Sequence, residues 1–341
     1  AKTYLDAVIA SGVYSLNATF HENFNPAYRN TSESVLEVQQ SVNNGTDDNA
    51  NNGDVLNFPY NGGPGGCCGF HQPSQNLVNA FKTTGTGVPD ISGYNSSDVT
   101  SDQGVAPTDN TYVPYAGQLD PRLDWTVGRR GIPYLDWGKH PGAAWIRDQV
   151  YGGPYSPIKN VYYKSQEGTN TTTSGWTKGF NNNNVKLIRY ADVLLMAAEC
   201  EVEANNLSKA QEYVNKVRKR AANPAGFVKD GSANAANYVV REYTAGEAGF
   251  FDNQANARAA VRFERRLELG MEGNRFFDLV RWGVAAAEKN AYFATEKSKR
   301  TYLNGAAFVA GKDEVVPIPR KAITQSAKDG VPTLKQNQAG S

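Results

Sequence analysis

Three of the five tryptophans, Trp125, Trp137 and Trp145, fall close together in sequence with Tyr134 between them. An aromatic face stacks on the apolar face of a sugar, and the indole N–H or phenol O–H can bond a hydroxyl. Each tryptophan taken alone reads equally well as core. A second feature lies upstream in NGGPGGCCG, from Asn61 to Gly69, where Cys67 and Cys68 are adjacent. Glycine tolerates positive φ and lets backbone approach a ligand closely. Consecutive Cα atoms are about 3.8 Å apart, below the usual disulfide span of about 4.4–6.8 Å. A Cys67–Cys68 bond would therefore be strained and would stiffen the turn; the alternative is two free thiols in a tight loop. The expectation is that this turn and at least two of the four aromatics border one open ligand site. Trp125, Tyr134, Trp137, Trp145, Cys67 and Cys68 are the candidate ligand-binding residues.

Other chemistry finds little support. The three histidines, His21, His71 and His140, are scattered, and no HExxH, EF-hand or CxxC pattern occurs. The polar run from Asn43 to Asp54 could offer oxygens to Ca²⁺ but follows no known loop pattern. No metal or cofactor is expected. No GxSxG elbow is present. A glycosidase needs two carboxylates about 5–10 Å apart; Asp124, Asp136 and Asp148 stand in the aromatic region, but each neighbours a Trp or Arg, as loop-fixing acids do. No Lys-Ser/Thr follows Gly62–Gly69, so the turn is not a phosphate cradle. The reading is a binding protein, not an enzyme. With 35 Lys+Arg against 34 Asp+Glu, nothing points to nucleic acid or an anionic membrane. No apolar run approaches the ~18 residues of a membrane span.

The elements that must position these residues are mostly helical. Phe263, Leu267 and Met271 lie four apart and predict a helix over 258–271. After Gly273, Phe276, Val280 and Val284 repeat the spacing. Glu272, Arg275, Asp278 and Arg281 alternate in sign as i,i+3 partners, and Phe276, Phe277 and Trp282 beside them should be buried. From Asn184, the residues Leu187, Ala191, Leu194, Leu195 and Ala198 mark another helical face. Ser208 with Gln211 reads as a capping box opening a helix that carries Ala210, Tyr213, Val214 and Val217 and ends before Pro224. Helices at 185–204, 208–222 and 258–290 should pack together. Ala1 to Ser11 has helical spacing closed by Gly12, and Gln75 to Phe81 reads as a short helix. Strands are expected at 34–42, 123–127, 133–137 and 238–243. The long loop-rich stretch over 12–183 is the functional candidate, since such loops inside a compact protein are usually functional.

Three stretches resemble one family. ERRLELGMEGNRFFDLVRWG, from Glu264, is similar to the C-terminal signature of SusD/RagB proteins, the surface nutrient-binding lipoproteins of Bacteroidetes. KLIRYADVLLMAAECEVEANN, from Lys186, resembles the family's central helix. VVPIPRKAITQSAKDGVPTLKQNQAG, from Val315, resembles its closing segment, with Gln338 where many members have proline. Asp120-Pro121-Arg122 is similar to a further family element. The resemblance implies a mainly α fold, a tetratricopeptide-like scaffold of helical pairs beneath a loop-rich face with short strands. It implies a single domain over 1–341, with the ligand face at 12–183 and the helical scaffold and closing segment at 184–341. It further implies capture of an oligosaccharide nutrient at the outer-membrane cell surface and delivery to a SusC-like TonB-dependent transporter. The chain reads as beginning within a helix, so an upstream part carrying the lipid anchor is expected. The alternatives are an oligopeptide ligand within the same family, a secreted polysaccharide hydrolase, or a protein-binding helical scaffold.

Overall fold

The computed structural model describes residues 1–159 and 161–337. In chain order its elements are α1 (Lys2–Ala10), β1 (Ser34–Val38), α2 (Gln75–Ala80), α3 (Leu123–Thr126), β2 (Val127–Gly128), α4 (Gln149–Gly152), β3 (Ser156–Pro157), β4 (Val185–Arg189), α5 (Tyr190–Glu203), α6 (Leu207–Ala221), β5 (Lys229–Asp230), β6 (Ala233–Asn234), α7 (Gln254–Glu268), α8 (Asn274–Arg281), α9 (Ala285–Glu296), α10 (Arg320–Gln325), β7 (Ala327–Lys328) and β8 (Val331–Pro332). The fold is mainly α, and among the described residues the strands form only two-stranded antiparallel pairs, β1 with β4, β2 with β3, β5 with β6 and β7 with β8. Two compact units meet in sequence at Met271/Glu272. That boundary falls inside the C-terminal motif, so the loop-rich region and helices α5–α7 share one unit. Gln338 lies outside the described residues.

In the first unit, helices α5, α6 and α7 bury Ala191, Leu194, Leu195, Ala198, Ala210, Val214, Val217, Ala257, Ala260 and Val261 against one another. The alanines permit close approach of the three helices. Leu5, Val8 and Ile9 of α1 pack on this core while staying partly exposed, and Tyr4 is 80% exposed. A second core joins α2 and the 119–127 segment to Phe263 and Leu267 of α7. A third lies wholly under loops, built from Val55, Phe58, Tyr134, Ile158, Val161, Tyr162 and Phe180.

Between these cores runs a buried ionic network. Glu264 accepts from Arg122 at 2.6 Å and from Arg218 at 2.9 Å. Glu268 accepts from Arg122 at 3.0 Å and also from Arg189 and Arg220. Glu33 bridges Arg189 and Arg220, each at 3.0 Å. Asp120 holds Arg122 through two bonds of 2.9 and 2.7 Å. All of these side chains are buried. Alongside, Arg265 reaches Asp192 at 2.6 Å, and Arg266 reaches Tyr94 Oη at 2.7 Å. The Asp-Pro-Arg element and the Glu-Arg-Arg-Leu-Glu of the C-terminal motif are thus two halves of one structure.

Several local expectations are corrected. Val185–Arg189 is a strand, not the start of the helix; its exposure alternates and it pairs antiparallel with β1, Val38 opposite Val185. Extended Arg189 (φ −117°, ψ 158°) then aims its guanidinium into the network. Strand β1 stops at Val38. Leu123–Thr126 is one helical turn, with only Val127–Gly128 extended. Pro133 and Lys139 form only an isolated bridge, and Tyr238 one with Leu119, so neither segment is a strand. The Ser208–Gln211 capping box does not form: Gln211 is buried and donates to the Tyr243 carbonyl at 2.8 Å instead.

In the second unit, α8 follows Gly273 at φ +87°. Asp278 is buried and pairs with Arg281 at 2.8 Å, the expected i,i+3 contact, while Arg275 lies 3.6 Å from Glu288 of α9. Phe277, expected in the core, is 70% exposed, because Phe276 alone on that turn meets Phe308. The closing segment folds on itself. Gln336 brackets Ile318, accepting from its N–H at 2.8 Å and donating to its carbonyl at 2.9 Å, and Asn337 donates to the Val316 carbonyl at 2.6 Å. This is why a terminal Gln-Asn accompanies Val-Pro-Ile-Pro.

Burial alone would raise the Glu268 carboxyl's pKa, but Arg220, Arg189 and Arg122 outweigh it and hold it well below the usual range. Its stabilisation is complete above the unfolded value near ~4.3 and lost as pH falls toward the folded one. Glu268→Ala leaves three guanidiniums short of a partner and should cost about 3–5 kcal/mol. Urea unfolding at neutral pH measures it; a loss below about 1 kcal/mol would show the network to be dispensable.

Candidate functional site

The glycine turn lies over the third core, and its composition follows from its path. Gly62, Gly63, Cys68, Gly69 and His71 have φ of +91°, +62°, +91°, +61° and +54°. A Cβ on Gly62 would lie 2.8 Å from Trp145 Nε1, and one on Gly63 would lie 3.0 Å from the same ring. The turn therefore rests directly on the Trp145 indole. Backbone bonds pin both ends: Tyr60 N–H to the Trp145 carbonyl at 3.0 Å, Gly69 N–H to that of Phe58 at 3.1 Å, and Phe70 N–H to that of Leu56 at 2.9 Å. Tyr162 Oη donates to the Pro64 carbonyl. Cys67 and Cys68 are joined by a disulfide at its tip.

The expected aromatics divide into three situations. Tyr134 is 0% exposed and donates its hydroxyl to the Pro157 carbonyl at 2.6 Å. It cannot face a ligand, which corrects that expectation; its ring meets Trp145 edge-on at 5.6 Å and supports it from below. Trp145 and Trp137 are half-buried. Trp137 spends its N–H on the Tyr162 carbonyl at 3.0 Å. Trp125 lies apart on the second core, stacked on His21 at 4.0 Å with its N–H on the Gly226 carbonyl at 2.6 Å. The turn, Trp145, Tyr134 and Trp137 thus come together; Trp125 does not join them.

The aromatics that face solvent are others. Tyr60 is 41% exposed, Phe70 46% and Trp176 63%. Tyr60 and Phe70 flank the turn, and the Arg147 guanidinium lies over both rings, 5.3 and 5.2 Å from their centroids. Trp176 packs on Phe180 of the third core at 5.6 Å, on a loop that Asp47 fastens by accepting from Thr172 and Ser174 hydroxyls at 2.9 and 2.8 Å. Sequence reasoning passed over them because exposure of single aromatics in loops has no periodicity to reveal it. Their one signal was flanking position: Tyr60 and Phe70 bracket the glycine run.

The side chains that might have been catalytic are committed elsewhere. Asp124 holds Arg129 at 2.6 and 3.0 Å and accepts from Tyr238 Oη at 2.6 Å. Asp136 accepts from the Ser165 N–H at 2.9 Å and from that of Lys164. Asp148 caps α4 through Val150 and Tyr151 N–H at 2.8 and 3.0 Å. Burial pushes His140 and His21 each down to about 3, so both are neutral. His140 accepts the Gly142 N–H at Nδ1 and contacts Ser156 Oγ through Nε2. Among the described residues no group of His, Cys, Asp or Glu is placed to hold a metal ion. In the former calcium candidate, Asp54 is buried beside Asn51, Asn181 and Asn183, and burial pushes its carboxyl up to about 7.

The site side of the molecule is a loop-rich region with exposed aromatics beside the packed helices α5, α6 and α7. The SusD family model matches residues 32–340, and the chain belongs to that family. A curated relative, the SusD-like protein P25 of Formosa agariphila, is 38% identical over 106 residues, which is 31% of this chain and 16% of that protein. A SusD homolog from Bacteroides thetaiotaomicron superposes with a TM-score of 0.57 at 21% identity over 98% of this chain and 58% of its own. A surface glycan-binding protein A from the same species gives 0.52 at 21% identity, over 99% and 58%. A SusD superfamily protein from Bacteroides vulgatus gives 0.54 at 19%, over 94% and 55%. These structures share the fold, and this chain spans between half and two thirds of their length.

Two outcomes test this geometry. Gly62→Ala adds a methyl group at positive φ against the indole and should cost about 1–3 kcal/mol in chemical denaturation; a neutral result would mean the turn does not rest on Trp145. Asp54 has a folded pKa above its unfolded value, so its contribution is fully present below about pH 4 and lost as pH rises through about 7. Asp54→Asn should therefore gain stability over the parent as pH is raised from 5 to 8 in parallel urea melts. A constant difference across that range would exclude Asp54 as the titrating group.

Proposed function

We propose that this protein captures an oligosaccharide at the loop face over the third core, at the outer-membrane cell surface, without turning it over. Tyr60, Phe70 and Trp176 supply the stacking surfaces, and the Cys67–Cys68 turn, seated on Trp145, holds the first two in place. A lipid anchor upstream of this chain ties it to the membrane, and the partner that receives the ligand is a SusC-like TonB-dependent transporter. The observation that carries the reading is the pairing of two facts: large aromatics stay exposed on a fastened loop surface, while Asp124, Asp136 and Asp148 are consumed by structural bonds. Structural commitment of these three acids favours capture over the paired-carboxylate cleavage of a glycosidase. Membership of the SusD family supports it, as does the fold shared with a surface glycan-binding protein.

A glycan and peptide array followed by calorimetry is the test. Trp176→Ala should weaken saccharide binding by roughly 1–3 kcal/mol, as for other aromatic stacking, and leave the melting temperature near the parent because the ring is 63% exposed. Binding to peptides alone would move the protein to the oligopeptide branch. Release of shortened saccharides on prolonged incubation would replace capture with hydrolysis.

A further inference from the structure

Arg147 is the unusual group on this face. It is exposed, yet its guanidinium lies over two aromatic rings, Tyr60 and Phe70. Among the described residues its one acceptor is the Cys68 carbonyl at 3.3 Å. No carboxylate among the described residues forms an ion pair with it. The nearest in sequence, Asp148, turns away to cap α4. A guanidinium carries five N–H donors in a planar fork that matches carboxylate or sulfate oxygens. Here most of that fork is unused and its charge is unneutralised. The side chain is also held in place before any ligand arrives, by the two rings and by a carbonyl of the disulfide-bonded turn.

From this geometry we infer that the site takes an acidic saccharide, with Arg147 binding a ring carboxylate or a sulfate ester while Tyr60 and Phe70 stack on the sugar faces beside it. The inference rests on the capture reading above and adds its ligand class. A neutral glycan would leave the fork facing water and gain nothing from it. An anionic one gains charge-assisted bonds at a position where orientation is already fixed. Arginine rather than lysine suits the place, since a planar cation can lie on aromatic rings and still present its edge.

The test uses matched pairs on the folded chain: oligogalacturonate against its carboxyl-reduced twin, and a sulfated galactan oligosaccharide against its desulfated twin, with a neutral β-glucan oligosaccharide as a fifth probe. Calorimetry should show at least one acidic form binding about tenfold or more tighter than its twin, the scale of a charge-assisted bond. That preference should shrink as salt is raised. The pair that shows it tells carboxylate from sulfate. Arg147→Gln should abolish the preference and Arg147→Lys should keep only part of it, with melting curves confirming that both variants fold. Equal binding of both members in each pair, or a preference that survives Arg147→Gln, overturns the inference. If the neutral probe or the neutral twins still bind, capture of saccharide stands without it. Binding to none of the five overturns both.

Discussion

Two carboxylates on one helix, Glu264 and Glu268, are the constraint on which the first unit depends. Buried charges are tolerated only when paired and hydrogen-bonded. These two are four residues apart, so they project from one face of α7, and that face points inward with Val261 and Leu267. Satisfying them takes four guanidiniums from three places: Arg122 in the loop before α3, Arg189 at the β4–α5 junction, and Arg218 and Arg220 on α6. Glu33 then ties the approach to β1 into the same set. Four acids, Asp120, Glu33, Glu264 and Glu268, meet four arginines, and buried Lys159 donates to the Glu268 carbonyl beside them at 3.1 Å. The geometry of this network fixes the register of every element that contributes.

That fixity reaches the ligand face through short covalent and backbone links. Asp120 and Arg122 anchor the segment that leads into α3 and β2, and β2 pairs with β3 at Val127–Pro157 and Gly128–Ser156. Pro157 accepts the Tyr134 hydroxyl, Tyr134 braces Trp145, and Trp145 carries the glycine turn. From the network at α7 to the disulfide tip there is a continuous set of directional contacts. The loops above the third core are therefore long in sequence but not free in space.

The helices and the aromatic character of the loop region were legible, because periodicity and composition are local properties. The network was not. Glu264 and Glu268 at i,i+4 look like a solvated helical face, and their partners lie 46 and 146 residues away for Arg218 and Arg122. Sign alternation is more visible at Arg275, Asp278 and Arg281, where Asp278 pairs with a partly exposed Arg281. The strand at Val185–Arg189 was hidden for a related reason. Its residues continue the apolar spacing of α5, and only the distant pairing with Ser34–Val38 decides against the helix. On the ligand face, clustering in sequence located the right region but not the right side chains. Tyr134 and Trp145 are the support, whereas Tyr60, Phe70 and Trp176 are the surface.

This division of labour between buried and exposed aromatics has a physical reason. A platform that must stack on a polyhydroxylated ligand gains little from each contact, so any loop ordering on binding would consume most of the affinity. Rigidity has to be built in beforehand. The chain does this by placing one layer of rings in the core, where they bond backbone carbonyls through Tyr134, Trp137 and Tyr162. A second layer then stands on that base. A tryptophan count cannot separate the layers, since both use the same residue types. What separates them is exposure: Tyr134 is buried and Trp137 and Trp145 half-buried, while Tyr60, Phe70 and Trp176 face solvent. The indole N–H groups of Trp125 and Trp137 and the Tyr134 hydroxyl are bonded to backbone carbonyls, so a ligand meets instead the exposed rings of Tyr60, Phe70 and Trp176 and the Arg147 guanidinium.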